Sequence, residues 1–113
     1  MDDKRILPED PLGLIKRCVR ERKILWTLHV SMRFRVRPVS RRMIIEAIES
    51  YEIIEEYPED KYLPSYLVYG CHGDTVFHVL FAVDVPDDNI RVVTAYLPDP
   101  GKWSEDFKRR KQL

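Results

Sequence analysis

The chain has 113 residues, 44% of them hydrophobic and 34% charged, and a formal net charge of zero. That suits one domain spanning 1–113 with a core that needs no disulfides, and it excludes a disordered or low-complexity chain. No apolar run approaches the roughly 20 residues that a bilayer-crossing helix needs, and no apolar signal region follows Met1, Asp2, Asp3, Lys4 and Arg5, so a cytoplasmic protein with no membrane partner is expected.

Cys18 and Cys71 are the whole cysteine complement. They are too few and too far apart for a disulfide framework or a paired zinc motif, and both are expected to be buried thiols. Zero net charge conceals segregation. From 16 to 42 there are ten basic residues against Glu21 alone; from 51 to 107 there are twelve acids against Lys61, Arg91 and Lys102; Lys108, Arg109, Arg110 and Lys111 then follow without an acid. An Arg-rich block suits bidentate phosphate recognition and draws in a polyanion. The competing reading is a set of solvated helix faces paired with the acidic half.

In chain order, Glu9, Asp10 and Pro11 read as a helix start, with Leu12, Ile15 and Val19 at helical spacing to about Arg22. Over 25–37, Leu28, Val30, Met32, Phe34 and Val36 alternate with polar residues, which is a strand pattern. The same stretch wound as a helix aligns His29, Arg33 and Arg37 on one face, with Pro38 as a stop. Ser40 is a good N-cap for an amphipathic helix running to about Ser50. Segments 51–57, 65–71, 76–83 and 90–97 are rich in aromatic and β-branched residues, and their short connections suit an antiparallel meander. Residues 98–101 then turn the chain into a short helix over 103–111, with Ser104 as cap.

No Gly-rich phosphate loop, nucleophile elbow or His-Glu-x-x-His is present, so no cofactor is expected. Cys71, His72 and His78 match no common metal spacing, and no metal is expected either. What remains is a set of His, Arg, Tyr and Lys residues of the kind that metal-free RNA cleavage uses: an acid, a base and cations on the phosphorane. His29 with Arg33 and Arg37 is one such constellation. His78 lies in the apolar run 75–81, where a satisfied core histidine is the commoner outcome. Thr94 and Tyr96 share a strand face, placing Tyr96 to donate to a phosphate or stack on a base. Trp103, beside Lys102 and followed by Arg109 and Arg110, either stacks a base or anchors the last helix to the sheet. Arg35, Arg41, Lys102, Arg109 and Arg110 complete the candidate RNA contacts.

The ordered set Thr27-Leu28-His29, Arg33, Arg37-Pro38-Val39-Ser40, Ala47-Ile48, Ile54-Glu55-Glu56-Tyr57-Pro58, Leu67-Val68-Tyr69-Gly70, Phe77-His78-Val79 and Val93-Thr94-Ala95-Tyr96-Leu97-Pro98, with Trp103 and Arg109-Arg110, resembles a small prokaryotic family filed as a domain of unknown function. The resemblance runs over about 24–110. Members of that family are often encoded beside MqsA-like zinc-finger antitoxins and are similar to RelE and MqsR toxins in the barnase, EndoU and colicin fold group. The resemblance implies an α+β fold with N-terminal helices on a four-stranded antiparallel sheet, a helix over 29–37, and a metal-free ribonuclease. Pro38 stands where the family commonly has Gly. The combined expectation is a toxin-like RNA-binding or RNA-cleaving domain of a type II toxin-antitoxin system. His29 would serve as base or acid, Arg33 and Arg37 as phosphate clamps, His78 and Tyr96 as further participants, and RNA and an antitoxin protein as partners. The alternative is a non-catalytic RNA- or protein-binding module.

Overall fold

A computed structural model of the protein describes residues 5–27 and 39–112. Along these run α1 (Pro11–Arg20), β1 (Ile24–Trp26), α2 (Arg41–Glu46) extended by a 3-10 turn (Ile48–Ser50), then β2 (Glu52–Tyr57), β3 (Ser65–His72), β4 (Thr75–Asp84) and β5 (Asn89–Tyr96). Both helices start as their sequences dictate. Asp10 accepts from the Gly13 amide at 3.0 Å with Pro11 in the first turn, and Ser40 Oγ accepts from the Met43 amide at 3.1 Å. α1 ends in a Schellman arrangement. Arg22 takes φ 61°, its amide reaches the Val19 carbonyl, and the Lys23 amide bonds the Cys18 carbonyl at 2.8 Å.

The sheet has strand order β1-β5-β4-β3-β2. β2 to β5 form the expected antiparallel meander, while β1 pairs parallel with β5 through Ile24–Ile90, Leu25–Arg91 and Trp26–Val92. Among the described residues the sheet is therefore five-stranded and mixed rather than four-stranded and antiparallel. β1 is only three residues long, and the alternation that continues past it gave it no separate signature. Alternation divides each strand between two faces. Phe77, Val79, Phe81 and Val83 of β4 join Tyr66, Val68, Ile90, Val92 and Ala95 in one core with Ile15, Val19, Ile44 and Ala47 from the helices. His78, Leu80 and Ala82 point to the opposite, outer face, level with Tyr69, Leu67 and Ser65 of β3.

Two register shifts shape that outer face. One falls between Ile53 and Glu55, so Ile53 sits opposite Val68 and packs on the core while Glu55 sits opposite Leu67 and faces outward. The other, opposite Leu80 and Phe81, leaves Val93 unpaired and sets Thr94 and Tyr96 level with Leu80 and His78. The helix expected over 103–111 does not form. Ser104 Oγ donates to the Asp106 carboxylate and accepts from the Arg109 amide, Phe107 takes φ 62°, and Trp103 bridges to Arg110, so the segment closes on itself as turns. Ser104 uses its side chain to cap this loop instead of a helix. Cys18 is buried as expected, whereas Cys71 is partly exposed. The helix expected over 29–37 lies outside the described residues. Among the described residues no helix is long and apolar enough to cross a membrane.

Candidate functional site

After β5, residues 98–112 fold back across the outer face. Asp99 begins the return, its carbonyl accepting from the Lys102 amide and its carboxylate from the Gly101 amide. Trp103 comes down on His78 with ring centroids 4.5 Å apart in an edge-to-face contact, and is 3% exposed. This is the anchoring role that the sequence offered as one of two for Trp103. Beyond it, Lys108 pairs with Glu52 at 2.7 Å and lies over Tyr69. The Arg110 guanidinium stacks 4.7 Å from the Trp103 ring centroid and grips Glu55 through two hydrogen bonds of 2.6 and 3.1 Å. Such a bidentate pair fixes the guanidinium plane as well as its position.

Beneath the strap, His78 is fully buried. Its Nε2 lies 2.7 Å from the Phe107 carbonyl and its Nδ1 3.2 Å from the Tyr96 hydroxyl. A carbonyl can only accept, so these partners assign the proton to Nε2 and leave Nδ1 to accept from Tyr96. Burial lowers the His78 pKa and holds the ring neutral. Burial raises that of Tyr96, which keeps its proton. For Glu55, burial works toward protonation, but hydrogen bonds from Arg110 and Tyr57 outweigh it and the carboxylate stays ionised.

Tyr96 and Arg110 line a cleft of about 320 Å³ together with Tyr57, Asp60, Leu67, Leu80 and Thr94; His78 and Glu55 stand behind them as their hydrogen-bond partners. The floor of the cleft is the apolar middle of the outer face, and one wall is the strap. The other is the loop 58–64, which is held by Arg5 donating to the carbonyls of Pro58, Asp60 and Lys61 and by Ser65 Oγ donating to the Asp60 carboxylate. The volume is at the small end of ligand clefts, which start near about 300 Å³.

Of the sequence-derived candidates, the structure brings His78, Tyr96 and Arg110 together. Lys102 and Arg109 are exposed on the strap without lining the cleft. Arg41 opens α2 and stacks over Trp26, 5.0 Å from the ring centroid. His29, Arg33, Arg35 and Arg37 lie outside the described residues. Glu55, Tyr57 and Asp60 were missed. Strict alternation puts Ile53 and Glu55 on one face, and only the bulge between them turns Glu55 to the site. Among the described residues no three His, Cys, Asp or Glu side chains gather closely enough to hold a metal ion. Cys71 Sγ bonds the Gly73 carbonyl, and His72 pairs with Glu46.

An α+β domain with a half-covered outer sheet face and an acid-base cluster under a strap is the class that fold and site define. The chain belongs to the family described as domain of unknown function (DUF4258), whose model matches residues 26–97. The match takes in the strands that floor the cleft and ends before the strap. No curated protein and no solved structure was found to match the chain.

Proposed function

We propose that the chain is a toxin-like RNA-binding domain that cleaves RNA without a metal ion, using the outer-face cleft. The observation that carries this reading is that Arg110 and Tyr96 line one small cleft, with Glu55 held against Arg110 at its edge: a cation, a protonated phenol and an ionised carboxylate within reach of one another. Glu55 takes two of the five guanidinium donors of Arg110, leaving others to bind a phosphate oxygen. As Arg110 turns toward the phosphate, Glu55 is released to take the proton of the 2′-hydroxyl. The 2′-oxygen then bonds to phosphorus and the bond to the 5′-oxygen breaks, with Arg110 neutralising the pentavalent phosphorane. Tyr96 swings its proton from His78 Nδ1 to the departing 5′-oxygen, and the proton on Glu55 returns to the phenolate through water. The products are a 2′,3′-cyclic phosphate and a free 5′-hydroxyl. His78 touches no substrate and acts as a positioning residue for Tyr96.

End-labelled RNA incubated with purified protein in chelator tests this directly. Wild type is expected to yield fragments ending in a cyclic phosphate, and Tyr96→Phe or Glu55→Gln to slow cutting by about 100-fold or more, the usual contribution of a positioned acid or base. His29→Ala belongs in the same gel: cutting lost there and kept in Glu55→Gln would move the base to His29. Binding without any cutting would leave a non-catalytic RNA module.

A further inference from the structure

The loop 58–64 carries Tyr62, which at 81% exposed is the most exposed large aromatic or apolar side chain among the described residues. Its ring is not on a loose segment. The Arg5 guanidinium ties the loop's carbonyls, and the Val83 amide donates to the Pro64 carbonyl at 2.8 Å at the loop's far end. Lys61 Nζ lies 5.2 Å from the ring centroid, a cation held beside an aromatic face.

Tyr62 borders a second hollow of about 210 Å³ that also includes Asp60, Ala82, Arg91 and Val93. Asp60 lines both this hollow and the Arg110–Tyr96 cleft, so the two adjoin across the outer face. Arg91 also lines this hollow, its guanidinium 3.3 Å from the Asp84 carboxylate. An aromatic ring kept in water, with the Lys61 ammonium beside it and a hollow that also reaches Arg91, is the composition of a base-stacking platform.

We infer that single-stranded RNA leaving the cleft stacks one base on Tyr62, with Lys61 and Arg91 meeting its backbone. The inference rests on the RNA reading of the cleft and adds a substrate class to it. An aromatic platform needs a base free of its helical neighbours, which a single strand offers and a duplex does not.

Fluorescence anisotropy with a 2′-O-methyl octanucleotide, which lacks the attacking hydroxyl, tests it on the full chain. Tyr62→Ala is expected to weaken binding about tenfold, within the range for losing one stacked base, whereas Tyr62→Trp should bind as wild type does. Annealing the probe to its complement should weaken binding at least as much. If Tyr62→Ala binds as tightly as wild type while Arg110→Ala binds more weakly, the platform is wrong and the cleft reading stands. Equal affinity for the duplex overturns the single-strand claim. If wild type binds neither probe, both this inference and the RNA reading fall.

Discussion

His78 has no exposed surface and both ring nitrogens are occupied, so its contribution is to set the rotamer and hydrogen bonding of Tyr96. Its lowered pKa has a stability consequence with a definite sign. Below about pH 6.5 the unfolded chain protonates this imidazole while the folded chain holds it neutral, so the unfolded state binds more protons and stability falls as pH drops. Thermal unfolding followed between pH 5 and 8 should show wild type losing Tm on the acid side of that value, and His78→Gln should flatten the dependence. An unchanged profile in the variant would mean that the ring is not buried neutral. At Asp88 the sign is opposite. Arg17 and then Lys23, each hydrogen-bonded to it, hold its carboxylate pKa well below the ordinary value. The stability it contributes is present above about pH 3.9 and is lost as pH falls through the depressed folded value. Asp88 also takes φ 54°, a conformation that Asn tolerates, so Asp88→Asn removes the charge without straining the backbone. It should lower Tm at neutral pH, and the gap from wild type should close in strong acid.

Among the elements, the strap is the one whose nature most needed the structure. Trp103 is buried against His78 rather than left in solvent, so residues 98–112 are part of the folded unit. Trp103→Ala should cost about 3 kcal/mol or more in a urea titration, whereas a loosely attached tail would show almost none. The segment had read as a helix because Ser104 and the basic run at its end satisfy helix signals. The competing hydrogen bonds of Ser104 to Asp106 and Arg109 are equally local and won. Elsewhere the sequence was direct. Asp10 and Ser40 cap their helices, and the four strands of the meander follow from β-branched and aromatic runs broken by Gly, Pro, Asp and Asn. β1 was not legible because a three-residue parallel edge strand makes its case only through its partner. The Glu55 side of the site was hidden for a similar reason, since bulge positions depend on the facing strand. Gly70, where an added Cβ would stand 2.8 Å from the Phe77 ring, is a further pairing constraint that composition alone does not reveal.

Across the molecule, the charge segregation of the sequence resolves into contacts between distant segments. The basic C-terminal run folds onto β2, with Lys108 on Glu52 and Arg110 on Glu55, and the basic end of α1 engages Asp88 in the turn between β4 and β5. The opposite charges thus help hold the fold, and Arg110, the cation that lines the cleft among the described residues, does so from within an ion pair. If the cleft takes RNA as proposed, the polyanion competes with Glu55 for Arg110, and binding should weaken as salt rises. The sheet's two faces divide the work: helices and core on one, strap, cleft and loop on the other. The most direct measurement of that division is an amide chemical-shift titration of isotope-labelled protein with a short 2′-O-methyl RNA. The account predicts the largest shifts at Tyr57, Asp60, Leu67, Leu80, Thr94, Tyr96 and Arg110; shifts confined to α1 and α2, with the outer-face residues unmoved, would contradict it.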